Sequence, residues 1–453
     1  MQPDKLSGIN LYNKLPQDHQ KWLMSLSKAH PFSFQHLKML TEYTVDMICW
    51  GTASLEQFYD PEAVENIKGK QSGAVIFEQL RKGYESLKNQ KKHYPAKEYF
   101  AQNEYQLPDK TSYEFADNIE HQLRDKREYQ FNEKDERQFP EERIIEIALK
   151  GTIMGQCPVA SEKTRCCNLK TLDAVQQCGF DCSYCSIQSF YHGDQVRFIR
   201  NLPAHLGTLK IDRKKKYHIG TGQSSDSLMW GNRFGLLDSL CRFARRYPNV
   251  ILEMKSKSSR IDYFLKHNPP WNIIFTWSLN TPIVIEREEK GTANLKKRLE
   301  SARKMADMGS PVGFHFHPIV WYEGWEEDYY NIVTCLINDF SPEEIVMISL
   351  GTLTFIKPVF GKIRERMLKS SILQMPMEVC ANKMSYPFEI KKELFSHLYN
   401  SFPDSWKRSV FFYMCMEDIN LWQPVFGRSY ESNALFEADM LKNYGEKIEQ
   451  LRK

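Results

Sequence analysis

The sequence predicts an α/β protein, a partial (β/α) barrel preceded by a helical amino-terminal extension. Two observations carry this. From about residue 146, short apolar runs alternate with stretches of helical period, the pattern of βα units around a parallel sheet. Most of these runs end in Gly, Ser or Asn, types suited to the mouth of a site at the carboxyl ends of barrel strands.

Residues 1 to 145 read as the extension, charged and amphipathic in HPFSFQHLKMLTEYTVDMICW and GAVIFEQLRKGYESLKNQ. Within it a polar stretch, roughly residues 100 to 140, reads as loop or exposed helix. The barrel takes residues 146 to 427. Its candidate strands are TLDAVQQ, KYHIGTG, VILEMKS, IIFTWSLN, PVGFHFHPIV and EIVMISLG, with a seventh run, VFFYMCME, closing the region. Six such runs fit a partial barrel better than a small open sheet. Residues 428 to 453 read as a helical tail.

At 453 residues the chain has room for two or three domains, or for one barrel with additions. A net charge of +4 permits nucleic acid as a partner without demanding it. No apolar run approaches the length of a membrane span, about 18 residues. The amino terminus lacks the apolar core of a secretory signal. The expectation is a cytoplasmic protein with no membrane partner. Eleven cysteines in such a chain stay reduced, so clustered ones serve metal or redox chemistry, and Cys49, Cys241, Cys335 and Cys380 read as core residues.

The run QQCGFDCSYCSIQ places Cys178, Cys182 and Cys185 at CxxxCxxC spacing. A three-residue loop followed by a two-residue loop can fold three thiolates around one cubane iron-sulfur cluster, leaving the fourth iron without a protein ligand. Three buried cysteines or a zinc site are the alternatives, but tetrahedral zinc wants four ligands and the motif offers three.

This spacing, with Tyr184 before the last cysteine, resembles the radical S-adenosylmethionine enzymes. GTGQSSDSL, EMKSKSSRIDYFL, FTWSLNTP, EREEKGT, RLESARKMADMGSPVGFHFHPI, YEGWEEDY and ISLGTL resemble, in the same order, the spore photoproduct lyase family over roughly residues 155 to 427. The resemblance implies a barrel of the radical S-adenosylmethionine type. It also implies a 4Fe-4S cluster on the three cysteines, with S-adenosyl-L-methionine chelating the open iron and cleaved to a 5'-deoxyadenosyl radical. It further implies that Ser225, Lys257 and Ser278 hold S-adenosylmethionine, that a flavodoxin- or ferredoxin-like protein donates the electron, and that the substrate is a DNA or RNA lesion or a modified nucleotide. Lys and Ser at strand ends suit a carboxylate and ribose hydroxyls. Lys255 is the rival to Lys257.

Three positions depart from the family. Gln223 stands where the lyase has a hydrogen-donating cysteine, and Ser186 where it has a relay tyrosine; Tyr184 remains as a catalytic candidate. Ser385 and Tyr386 stand in place of an Arg-Tyr pair that contacts the lesion, and losing arginine removes a multidentate contact. Cys157, Cys166 and Cys167 precede the cluster loop in CPVASEKTRCC. They could hold a second cluster with Cys415, supply the missing hydrogen donor (Cys166 and Cys167 are the catalytic candidates), or pack reduced.

His315 and His317 share a strand face and read as substrate contact or barrel interior rather than metal ligands. Pro318 reads as the end of that strand, and Glu253 as a barrel-interior candidate, with pairing to Lys255 as the plainer reading. The aromatic residues of HPIVWYEGWEEDYY read as a helix packing on the barrel, with base stacking as the alternative. Two rival functions stay open: radical modification of a peptide or metabolite, and a metal-bearing nucleic-acid-binding module without turnover.

Overall fold

A computed structural model describes residues 5–52, 54–65, 67, 70–88, 139–149, 151–157, 164–187, 195–380 and 383–452. Most of the polar stretch, residues 100 to 138, lies outside the described residues. The chain divides into two compact units, residues 1–95 with 355–378, and residues 96–354 with 379–453. No helix among the described residues is long and apolar enough to cross a membrane.

The first unit is helical: α1 (Gln17–Ala29), α2 (Phe34–Trp50) and α3 (Lys70–Lys88). Ser33 starts α2 by accepting the His36 amide at 3.0 Å. Gly51, at φ 71°, ends it in the left-handed conformation that a side chain would resist. Leu37 and Leu40 on α2 bury with Ile76, Phe77, Leu80 and Tyr84, which recur on α3 at helical spacing. The Asp46 carboxylate, fully buried, takes the Tyr84 hydroxyl at 2.8 Å and the Arg364 guanidinium at 2.7 and 2.8 Å. That ion pair ties residues 355–378 to this unit, although they fall inside the span read as barrel.

The second unit is built on eight strands: β1 (Met154–Gln156), β2 (Lys170–Leu172), β3 (Tyr217–Gly220), β4 (Val250–Ser256), β5 (Ile273–Leu279), β6 (Val312–Ile319), β7 (Ile345–Thr352) and β8 (Phe411–Met414). Their order in the sheet is their order in the chain. From β2 to β8 every pairing is parallel, and β1 joins β2 antiparallel. Among the described residues β1 and β8 are free edges, so the curled sheet is a half-barrel.

The connections are helical, as parallel neighbours require. They include α4 (Leu236–Arg246) before β4, α5 (Leu295–Asp307) before β6, α6 (Trp325–Asp339) before β7 and α7 (Phe388–Asn400) before β8. A last helix, α8 (Asn433–Leu451), packs on β7 and β8. Helix α5 shows the logic. Asn294 caps it by accepting the Lys297 amide at 2.9 Å, and its buried Leu299, Ala302, Met305 and Ala306 form one apolar stripe.

Two strand readings change. TLDAVQQ breaks after Leu172: only Lys170–Leu172 joins the large sheet, while Val175–Gln176 pairs antiparallel with Val196–Ile199. The Asp173 amide turns instead to the Ile153 carbonyl at 2.9 Å, ending the ladder. Pro318 does not end β6, which runs on to Ile319 across a register shift between Phe316 and Ile319. An irregularity of this kind is where a strand tolerates proline.

Alternation along the strands stacks the barrel interior in two layers. His218, Glu253, Thr276, His315, Ser349 and Tyr413 form the lower one. Two residues further along the same strands, Gly220, Lys255, Ser278, His317, Gly351 and Cys415 form the upper one.

Candidate functional site

The cysteine loop follows Val175–Gln176 and begins at Gln177, whose φ of 75° turns the chain sharply. Gly179 lets the loop pass close, since a Cβ there would lie 2.4 Å from Met229 Cε and 2.8 Å from the Trp230 ring and would force those side chains to shift. This close approach seats Cys178, whose Sγ lies 3.9 Å from Met229 Sδ. Asp181–Cys182 pairs antiparallel with Glu289–Lys290, and the Cys185 amide donates to the Cys182 carbonyl at 3.2 Å. Burial pushes the Cys178 and Cys182 thiols up, and the Lys257 ammonium pulls Cys182 back toward thiolate.

Glu289 is the hub beside this loop. It accepts from the Tyr184 hydroxyl and, at 2.6 Å, from the fully buried Arg298, with Lys257 Nζ 3.9 Å away. The same ammonium lies 5.8 Å from the centre of the Tyr184 ring. Burial alone would raise the Glu289 carboxyl; Arg298 and Lys257 outweigh it and hold the group below its usual value. The neighbouring Glu288 accepts from Ser183, so two adjacent carboxylates pin the loop. Asp226 does the same for the ends of β3 and β4. Its oxygens accept from the Lys257 amide at 2.7 Å, Ser256 Oγ at 2.8 Å, and the Met229 and Leu228 amides at 2.9 and 3.0 Å.

Among the S-adenosylmethionine candidates, Lys257 lies beside the cysteine loop and Lys255 does not. Ser225 is buried, with its oxygen accepting from Trp230 Nε1 at 2.8 Å, which leaves its own O–H to donate. Ser278 is buried on β5 beside its partner His315, and its carbonyl accepts from Arg298 at 2.7 Å.

A cavity of about 90 Å³ opens over the barrel interior. Cys157, Cys166, Cys167 and Cys415 line it together with Gln223, Lys255 and His317. The bond from Cys167 draws the Cys166 thiol down to about 6, whereas burial pushes Cys415 up. Among the described residues, no group of three or more His, Cys, Asp or Glu side chains stands ready to hold a metal ion. The cysteine loop nonetheless offers the right donor chemistry for an iron-sulfur cluster: three thiols on one short segment, electrostatically coupled, with a cation beside them.

The floor of the cavity corrects the reading of Glu253. It pairs not with Lys255 but with His218 at 2.8 Å, His315 at 2.6 Å and Thr276 at 2.8 Å. Side chains two apart on one strand point alike without meeting, while those on neighbouring strands converge. His315 is satisfied on both nitrogens, by Ser349 and Glu253. Ser385 and Tyr386 face the interior: Ser385 Oγ donates to the Leu353 carbonyl at 2.8 Å, and the Tyr386 hydroxyl accepts the Trp321 amide at 3.0 Å. Tyr322, Trp325 and Tyr329 are buried, so that aromatic cluster packs α6 on the barrel. Cys49 and Cys241 are core residues, while Cys335 and Cys380 are half-buried.

Glu289, Arg298, Asp226 and His218 were not singled out from the sequence. EREEKGT and QSSDS contain the two acidic ones, but a carboxylate in a motif does not reveal which loop it clamps.

The spore photoproduct lyase family model matches residues 221–398, a span that begins after the cysteine loop. The chain is 33% identical to the spore photoproduct lyase of Bacillus subtilis strain 168 over 137 residues, 30% of this chain and 39% of that protein. It is 30% identical to the Geobacillus enzyme of the same name over 139 residues, 30% of this chain and 39% of that protein. It thus spans about two fifths of the length of these relatives. A solved structure of a spore photoproduct lyase point mutant superimposes with TM-score 0.50 at 19% identity, over 60% of this chain and 82% of that one, a likeness of fold. With its half-barrel in chain order and its matched 221–398 segment, the chain is similar to the spore photoproduct lyase family.

Proposed function

We propose that the chain is a radical S-adenosylmethionine enzyme acting on a nucleic-acid lesion or modified nucleotide. Cys178, Cys182 and Cys185 hold its 4Fe-4S cluster, and a flavodoxin- or ferredoxin-like protein reduces it. The observation that carries the reading is the position of the three-cysteine loop against Glu289, Lys257 and Tyr184 at the barrel mouth. When bound, the cluster supplies the electron that cleaves S-adenosylmethionine to a hydrogen-abstracting radical. The residues of the chain bind, orient and shield. The Lys257 ammonium, held 3.9 Å from Glu289, engages the methionyl carboxylate, and the Ser225 and Ser278 hydroxyls engage polar groups of the same molecule. The Glu289–Arg298 pair fixes Tyr184 and the Cys182 strand in place, and the buried half-barrel keeps water from a reactive intermediate.

Gln223 cannot donate a hydrogen atom, so of the two candidate thiols that share its cavity Cys167, which keeps its proton, takes that role, and Cys166, drawn toward thiolate, accepts its hydrogen bond. The buried Ser385 and Tyr386 spend their hydroxyls on the Leu353 carbonyl and the Trp321 amide, and recognition of the substrate falls to the cavity instead. The test is anaerobic reconstitution with iron, sulfide and S-adenosylmethionine, followed by incubation with deuterated oligonucleotides and nucleotides. Deuterium in 5'-deoxyadenosine supports the reading. Reductive cleavage without label from any nucleic-acid substrate, but with label from a peptide or metabolite, refutes the substrate class.

A further inference from the structure

The upper layer of the barrel interior contains two polar atoms, Lys255 Nζ and His317 Nε2, that meet no hydrogen-bond partner among the described residues. Lys255 projects from β4 into the cavity, where burial lowers its affinity for a proton. No hydrogen bond or ion pair from a described residue meets its ammonium. Glu253, the nearest carboxylate on its strand, has already given its oxygens to His218, His315 and Thr276. Among the neighbouring thiols, burial keeps Cys415 protonated, and the cation beside Cys166 is Lys383. His317 on β6 lines the same cavity; the Leu350 carbonyl engages its ring, and its Nε2 is sealed from solvent without a hydrogen-bond partner among the described residues. Its ring lies so close over Gly351 that a Cβ there would sit 2.6 Å from Nε2. Gln223, on the loop after β3, adds an amide from a third wall.

Buried ammonium groups in folded proteins are paired, and buried imidazole nitrogens are bonded. Here the half-buried Lys255 ammonium and the sealed His317 Nε2 meet no hydrogen-bond partner among the described residues, and the Gln223 amide lines the same cavity. We propose that Lys255, His317 and Gln223 receive a phosphate group of the substrate. Donors arriving from three directions suit a tetrahedral oxyanion, and Lys serves phosphate as a point charge, whereas a planar carboxylate is matched by the fork of an arginine. The proposal rests on the nucleotide reading above and sharpens it: the substrate presents its phosphate inside the barrel, next to Cys166 and Cys415.

The test is equilibrium binding to the full chain of thymidine 5'-monophosphate and of thymidine, with inorganic phosphate and acetate as competitors. The nucleotide is expected to bind at least tenfold more tightly than the nucleoside, with inorganic phosphate competing and acetate not. Lys255→Met removes that ratio and Lys255→Arg retains part of it. Should Lys255→Met fail to fold, Gln223→Leu at the cavity rim lowers the ratio instead. Equal binding of nucleotide and nucleoside, an unchanged ratio in the variants, or competition by acetate as strong as by phosphate overturns the proposal. Wild-type protein that fails to discriminate but still cleaves S-adenosylmethionine overturns this inference alone; wild-type protein that cannot cleave it overturns the reading beneath.

Discussion

Replacing Arg298 by methionine tests the clamp that holds the cysteine loop. The guanidinium is fully buried and makes four contacts: Glu289 Oε2 and Thr292 Oγ1 at 2.6 Å, the Ser278 carbonyl at 2.7 Å and the Ala293 carbonyl at 2.8 Å. Methionine fills similar space but leaves the Glu289 carboxylate in a dry site with only the Tyr184 hydroxyl, the distant Asn280 amide at 3.3 Å and Lys257 at 3.9 Å. Removing one partner of a buried ion pair costs about 3–5 kcal/mol. Lys257 offsets part of that, which places the expected loss near the lower end, about 3 kcal/mol. The double variant Glu289→Met with Arg298→Met removes both charges and should lose less than the sum of the singles. The assay is urea unfolding followed by tryptophan fluorescence, with the midpoint of each variant set against wild type. A loss under about 1 kcal/mol for Arg298→Met, or strict additivity in the double variant, would refute a charge clamp at this site.

Three further outcomes follow from the same geometry. Burial, with Lys255 nearby, lowers the His315 pKa to about 4, so the unfolded chain takes up a proton below pH 6.5 that the native one refuses. Stability should therefore be complete above pH 6.5 and fall by roughly 3 kcal/mol between there and pH 4; a flat profile in pH-dependent urea unfolding, or one that His315→Gln leaves unchanged, contradicts this. Gly351→Ala would push a Cβ to 2.6 Å from His317 Nε2, so a cost of about 1–3 kcal/mol is expected in thermal unfolding, with no cost meaning that the ring moves freely. Cys166, drawn to about 6, should be alkylated by iodoacetamide near neutral pH ahead of the buried Cys167 and of Cys415, whose thiol is pushed up, as read by peptide mass spectrometry; preferential labelling of Cys415 would show the thiolate assigned to the wrong sulfur.

The half-barrel was legible because its strands are buried on both faces and read as unbroken apolar runs. VILEMKS is β4 without change, and IIFTWSLN, PVGFHFHPIV and EIVMISLG match β5, β6 and β7 to within a residue or two at each end. TLDAVQQ misled because its residues alternate well enough for one strand, while a turn at Asp173 hands its second half to another sheet. The attachment of residues 355–378 to the helical unit depends on Arg364 meeting Asp46, more than 300 residues away in the chain, and no local pattern encodes it. The same limit applies to the site. Cysteine spacing and the position of Lys257 could be read from neighbours in sequence, but Glu253 choosing two histidines over Lys255, and Glu289 gripping Tyr184, are decided by which strands lie side by side. Local motifs name the chemistry, and the sheet decides the partners.

The most direct test of the central claim is a count of iron, sulfide and 5'-deoxyadenosine in the same anaerobic sample. Wild-type protein reconstituted with iron and sulfide should bind both, become coloured, and release 5'-deoxyadenosine from S-adenosylmethionine on reduction. The Cys178→Ala, Cys182→Ala and Cys185→Ala variants should each lose the cluster and the product while remaining folded. A colourless wild-type protein, or variants that still produce 5'-deoxyadenosine, would contradict the assignment of this loop.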